Sequence, residues 1–353
     1  MQNAEEQLLK QLLASKVQDS SEIEHHLFEL CNLNCSFCGQ DHDSKEGIDT
    51  ILEKAHQTVE FMRNSPLKSH TVNVMGGEIF NDLVPDSVFD DYYAFYKVIN
   101  DYAVSNDLTV RINFVTNLIF SKNTSSVQKL LEICGDNVWI STSYDFAGRG
   151  LDINRMMMFK RNLEIFKPRI GVVGFVLAKP SIRKLIADKD KFFKEVLYAN
   201  YPLYFDWYVP ENSADKMMPS EQEMLDGLLF VADRYPKIEP VRSMLENEEN
   251  KMTCFSLNKT TILPDGREVK CRYMEYEAEQ FETPIDYSTN SGIINAHLER
   301  NECFSCEWYK RCPLVCFVQS DWTKRERLPV CFMKTFFNTA VGKNNATNDT
   351  DER

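Results

Sequence analysis

No run of about 18 or more apolar residues, the length at which a helix spans a bilayer, occurs in the chain. No basic segment followed by an apolar one heads it either. Neither a membrane span nor a secretory signal is therefore expected, and the expected compartment is the cytoplasm. Glycine and proline are sparse, 13 of each in 353 residues, which excludes collagen-like and low-complexity classes. Positive charge is in deficit: Lys+Arg number 40 against 53 Asp+Glu, for a formal net charge of −13. A general nucleic-acid binder needs the opposite balance, because affinity for phosphate backbones comes from Lys and Arg. The local basic stretches at Lys310-Arg311 and from Lys324 to Arg327 read as a solvated face.

What is present is an ordinary globular composition, 43% hydrophobic, in a chain long enough for a large domain and a smaller one. Residues 1–21 read as a short amphipathic helix carrying Leu8, Leu9, Leu12 and Leu13. From residue 22 to 235 strand and helix patterns alternate. Strands are expected at 23–30, 70–75, 108–115, 137–142, 170–177 and 202–209, and helices at 48–64, 86–104, 125–134, 152–166, 181–199 and 219–234. Six such units imply an α/β fold with a parallel sheet and outer helices, short of the eight units of a closed barrel. Residues 236–340 lose that rhythm and form a second module, and 341–353 read as a disordered tail.

Eleven cysteines without an export signal point to metal ligation rather than disulfides. Three of them stand in the run Cys31-Asn32-Leu33-Asn34-Cys35-Ser36-Phe37-Cys38, directly after the first strand. Zinc would ask for a fourth ligand from a second pair, and none lies near in sequence. His25 and His26 are adjacent on a strand and point to opposite faces. A [4Fe–4S] cube takes one cysteine per iron, so three thiolates leave one iron open. The C-x3-C-x2-C spacing, with the aromatic Phe37 before the last cysteine, resembles the cluster loop of radical S-adenosylmethionine (SAM) enzymes. In that family the open iron chelates the amino and carboxylate groups of SAM, and the core is commonly a partial (β/α)6 TIM-like barrel.

Other motifs extend the resemblance. Met75-Gly76-Gly77-Glu78 follows the second strand and is similar to the family's GGE motif, which contacts the SAM amino group. Glycines at that strand end are read as allowing close backbone approach to a ligand. Thr116-Asn117 ends the third strand where relatives often have Thr-Asn-Gly; Leu118 replaces the glycine and puts a tight turn in question. By the same resemblance Ser143 and Arg155 match the positions that hold the carboxylate and ribose region of SAM, a task suited to a guanidinium fork. Cys134 reads as a small buried hydrophobe and Met156-Met157-Met158 as helix packing near the core.

In the second module the order is Cys254-x11-Gly266-x4-Cys271, then Cys303-x2-Cys306-x5-Cys312-x3-Cys316, then Cys331. It resembles the seven-cysteine SPASM extension of peptide- and protein-modifying radical SAM enzymes, a small cysteine-rich α+β domain. The resemblance implies two auxiliary [4Fe–4S] clusters, one on Cys303, Cys306, Cys312 and Cys331, the other on Cys254, Cys271 and Cys316. Fully ligated relatives have an eighth cysteine after the first, which this chain lacks. Residues 262–269 read as a β-hairpin turning at Pro264-Asp265-Gly266.

The activity implied is reductive cleavage of SAM to a 5′-deoxyadenosyl radical that takes hydrogen from a peptide or protein side chain. A thioether, a carbon–carbon crosslink, an epimerisation or an oxidation would follow. The implied partners are that substrate and an external electron donor such as flavodoxin or ferredoxin. Anaerobic sulfatase-maturating relatives carry an aspartate after the cysteine matching Cys271, and Arg272 here removes that base, so formylglycine formation ranks low. Small-molecule or cofactor biosynthesis is the alternative enzyme class. An iron–sulfur electron carrier without SAM chemistry is the further one, disfavoured by the GGE motif.

Overall fold

Period-two alternation decides which face of each strand meets the helices. The computed structural model describes residues 19–35, 38, 40–145, 148–208, 216–250, 259–269, 298, 301–314 and 328–348, with 342–348 as backbone alone. Strand β1 (Ser21–His26) buries Ile23 and His25; β2 (Ser69–Met75) buries His70, Val72 and Val74; β3 (Thr109–Val115) buries Val110, Ile112 and Phe114. With β4 (Val138–Ser143) these strands pair in parallel in the order β4-β3-β2-β1. Their apolar face packs against α1 (Ile51–Asn64), α2 (Val88–Ser105) and α3 (Thr124–Cys134), whose buried residues recur at helical spacing, as in Ile51, Ala55, Val59 and Met62. Cys134 is among them, buried at the end of α3.

The opposite face is polar. Asn73 Nδ2 donates to Glu22 Oε1 at 2.8 Å, Asn113 Nδ2 to Asn73 Oδ1 at 3.0 Å, and Ser141 Oγ to Asn113 Oδ1 at 2.7 Å, a ladder of hydrogen bonds across four strands. Two later strands extend the same sheet. β7 (Lys259–Ile262) runs parallel to β1, and β8 (Glu268–Val269) returns antiparallel to β7 through the expected hairpin turn. Lys259 pairs with Glu24 at 3.0 Å across that junction, and Gln57 on α1 donates to Gly266 O at 2.8 Å. Asp19–Val173 and Leu257–Tyr276 thus form one compact unit, which also contains α4 (Ile153–Ile165).

The second unit comprises Gly174–Ser256 and Glu277–Arg353. Strand β5 (Ile170–Val176) runs across the division, followed by α5 (Lys179–Ile186), β6 (Leu203–Asp206), α6 (Glu221–Arg234), α7 (Val241–Leu245) and α8 (Phe332–Asn348). A reciprocal cap starts α6, with Ser220 Oγ accepting from Glu223 N and Glu223 Oε2 from Ser220 N. Phe175, Phe193, Phe205 and Tyr235 interlock edge to face in its core.

All six strand-then-helix units are present, with some boundaries moved. The first strand stops at His26 rather than residue 30, because after Leu27, which still bonds to Met75 at the end of β2, Phe28 and Leu30 bond to Gly77 and Glu78 in the turn that follows. The expected 181–199 helix breaks after α5: Asp188 takes φ 52° and accepts from Lys194 Nζ and Tyr235 OH. A separate helical segment then starts at Lys191, where Asp190 Oδ1 accepts from Phe193 N. Of methionines 156–158, Met157 is 58% exposed and the other two are half-buried; Phe159, Asn162 and Leu163 form the buried side of α4. Residues 342–348, read as tail, continue α8, since extending a packed helix costs far less than nucleating one. The N-terminal helix expected at 1–21 and the end of the tail lie outside the described residues, apart from 19–21, where β1 begins at Ser21. No helix among those described is long and apolar enough to cross a membrane.

Candidate cofactor site

Residues 27–35 leave the C-terminal end of β1 as a loop fixed by hydrogen bonds on two sides. Gly77 N donates to Phe28 O at 2.7 Å and Glu78 N to Leu30 O at 2.9 Å. A Cβ on Gly76 would stand 2.5 Å from Phe28 O, and one on Gly77 2.2 Å from Leu30 O and 2.3 Å from Glu29 O. The two glycines are thus required by the protein's own backbone, the segment that carries Cys31, whereas the sequence pointed to close approach by a ligand. On the other side Lys54, almost wholly buried, donates from Nζ to Leu27 O and Gly47 O, both at 3.1 Å, and to Thr50 Oγ1 at 2.9 Å. Burial lowers its pKa to about 8.

Glu78 is fully buried, and its carboxylate is spent on the neighbouring strand end. Oε1 accepts from Phe80 N at 2.9 Å and Thr116 Oγ1 at 2.6 Å, and Oε2 accepts from Asn117 N. Burial pushes its pKa up to about 7 against the pull of these donors and of Arg149. The turn in question at Leu118 does form, with φ 58° on a fully buried leucine. It is held by Leu118 N on Thr116 Oγ1 (3.1 Å), Ile119 N on Asn117 Oδ1 (2.7 Å) and Asn162 Nδ2 on Leu118 O (3.0 Å). Beneath it Phe80, Tyr92, Phe114 and Phe120 pack in one aromatic cluster.

Cys31, Cys35 and Cys38 are half-buried thiols. Burial raises Cys31 to about 12 and Cys35 to about 11, with Arg149 opposing the rise at Cys35. Phe37 lies outside the described residues. Ser143 sits at the end of β4, and its Oγ accepts from Arg149 Nη2 at 2.5 Å. The field of Arg149 reaches both Cys35 and Glu78. Its Nε and Nη1 are buried and have no hydrogen-bond partner among the described residues. Such donors carry a desolvation cost unless an acceptor arrives. Arg155, singled out from the sequence, is 42% exposed along its side chain and engages Asp152 and Gly150 O. Sequence reasoning passed over Arg149; the available signal was a lone cation between Gly148 and Gly150 in the loop after a strand end.

In the second unit the described cysteines are Cys303, Cys306, Cys312 and Cys331; Cys254, Cys271 and Cys316 lie outside the described residues. Cys306 N donates to Cys303 O at 3.0 Å and Cys312 N to Trp308 O at 2.8 Å, so one tight coil carries three of the four. Cys303 and Cys312 flank buried Tyr309, and Cys306 acts electrostatically on Cys331 at the head of α8. Asn250 ties this coil to the segment after α7 through Lys310 O and Arg311 O. Among the described residues no three of His, Cys, Asp or Glu are close enough to hold a single ion.

No family model matches the chain, and no curated protein matches it. Solved structures do. One of anSMEcpe with bound AdoMet and the Cp18Cys peptide is 17% identical, covers 94% of this chain and 99% of its own, and superposes with a TM-score of 0.66. Another of anSMEcpe with bound AdoMet is 15% identical over the same shares, with a TM-score of 0.65. Streptococcus suis SuiB bound to precursor peptide SuiA is 14% identical, with a TM-score of 0.52 over 94% of this chain and 80% of that one. The chain has the fold of these proteins. It is the partial (β/α)6 barrel with a cysteine-rich extension that the motifs implied.

Proposed function

We propose that the protein is a radical SAM enzyme acting on a peptide or protein side chain. The observation that carries the reading is Arg149, whose two buried donors without acceptors stand beside Ser143 and close enough to Cys35 to pull on its thiol. A three-thiolate loop after β1 and an anion-seeking guanidinium after β4, at the same end of one parallel sheet, fit an iron–sulfur cluster with SAM beside it. When bound, that pair supplies one-electron cleavage of SAM and a 5′-deoxyadenosyl radical that abstracts hydrogen.

The chain's own residues would hold and orient. Cys31, Cys35 and Cys38 would ligate the cluster, and Arg149 with Ser143 would receive the carboxylate of SAM. Arg155, whose charge also reaches Cys35, has its side chain against Asp152 and its backbone N on the Asp152 cap at the start of α4. Gly76 and Gly77 act by fixing the cysteine loop, and Glu78 by fixing the Thr116–Asn117 end of β3. Cys303, Cys306, Cys312 and Cys331 would hold one auxiliary cluster, and Cys254, Cys271 and Cys316 the second. A peptide substrate is supported by the bound peptides in two of the structural neighbours.

The test is anaerobic reconstitution with iron and sulfide, iron counting, and assay of 5′-deoxyadenosine after SAM and dithionite are added. The parent should hold about twelve irons and cleave SAM. Arg149→Gln should keep its iron and lose at least tenfold in SAM affinity, while Arg155→Gln stays near the parent. Iron-loaded protein that leaves SAM intact would refute the reading.

A further inference from the structure

The side chain of Asn117 has one permitted orientation. Its Oδ1 accepts from Ile119 N at 2.7 Å, so Nδ2 must point the other way. There it meets Asn32 Oδ1 at 2.9 Å and Cys31 Sγ at 4.0 Å. A carboxamide nitrogen carries two hydrogens, one for each of these acceptors. Asn32 is itself fixed through its Nδ2 on Ile119 O. The backbone nitrogen of Asn117 is held by Glu78, and the left-handed turn at Leu118 sets the direction in which its side chain leaves β3.

The same sulfur receives a second donor, Leu33 N, at 3.4 Å. Cys38 has a contrasting neighbour. Gln40 commits its Nε2 to Gly76 O at 3.1 Å and so presents its oxygen, at 3.4 Å, to the Cys38 sulfur. Amide hydrogens directed at a ligand sulfur draw negative charge away from an iron–sulfur centre. They favour its reduced state, one of the levers by which proteins set cluster potentials.

We propose that Asn117 is a positioning residue that raises the reduction potential of a cluster bound through Cys31, by donating an amide hydrogen to that sulfur. The proposal rests on the reading of Cys31, Cys35 and Cys38 as cluster ligands. Neither the Thr-Asn pair nor its spacing from the cysteines discloses this role; the juxtaposition arises from parallel β1, β2 and β3 bringing their loops to one end of the sheet.

The experiment is a redox titration of the reconstituted full-length protein followed by electron paramagnetic resonance. The auxiliary signals are identified in a variant with Cys31, Cys35 and Cys38 replaced by Ala, and subtracted. Asn117→Asp keeps the acceptor for Ile119 N and exchanges only the donor for oxygen, while Asn117→Ala removes the donor without adding charge. Both should retain the parent's iron content. At the parent's midpoint both should show a roughly tenfold lower reduced-to-oxidised ratio, which for one electron is about 59 mV. An unchanged midpoint in both variants overturns the proposal. A fall in Asn117→Asp alone is a charge effect and overturns it as well. If the triple-alanine variant holds as much iron as the parent, the cluster reading fails and takes this proposal with it.

Discussion

Gly77→Ala isolates the contact on which the cysteine loop depends. The new methyl group would stand 2.2 Å from Leu30 O and 2.3 Å from Glu29 O, both backbone atoms that cannot rotate away. The loop must therefore retreat by about 1 Å, which in a close-packed interior displaces its neighbours too. Two backbone hydrogen bonds lie on that seam, Gly77 N to Phe28 O and Glu78 N to Leu30 O. Losing a buried bond costs roughly 1–3 kcal/mol, so the expected destabilisation is about 2–6 kcal/mol. Gly171→Ala is the control: the nearest atom to its Cβ is Trp139 Cβ at 3.6 Å, and its backbone is not in the left-handed region. Replacing a strand glycine without a clash should stabilise by roughly 0.5–1 kcal/mol. Urea unfolding of the metal-free chain reads both, as a lower midpoint for Gly77→Ala and an equal or higher one for Gly171→Ala. Iron loading of Gly77→Ala should fall with it. A Gly77→Ala protein that unfolds with the parent would refute the steric account of the GGE motif.

Glu78 gives a pH signature. Its folded pKa of about 7 lies above the ordinary 4.5, so its contribution is fully present below pH 4.5 and is lost as pH rises through 7. The parent should lose roughly 3 kcal/mol relative to Glu78→Gln between about pH 4 and pH 8; a pH-independent difference between their urea midpoints would contradict this. At Leu118 two effects compete. Leu118→Gly relieves a left-handed leucine, worth about 1–2 kcal/mol, but removes a fully buried side chain, worth about 3–5 kcal/mol. Net destabilisation of roughly 1–4 kcal/mol is expected in thermal or urea unfolding, and a stabilised variant would show that the strain dominates.

Local pattern alone determined much of this protein. Period-two and helical spacing located six strand–helix units, and Pro264-Asp265-Gly266 located the hairpin, because apolar periodicity and turn chemistry act over a few residues. Cysteine spacing drew attention to 31–38 and 303–312 for the same reason. Tertiary structure decided what no local signal encodes. The two glycines serve a loop some 45 residues earlier in the chain, and Glu78 serves the end of the next strand. Among the described residues Arg149 rather than Arg155 has buried, unmatched donors, a property of burial and partners rather than residue type. Met157 faces solvent because α4 turns Phe159, Asn162 and Leu163 inward, a choice of rotation that an evenly apolar run leaves open. Parallel pairing is the common physical reason: it places residues far apart in sequence at one end of a sheet, where only the assembled strands determine which side chains meet.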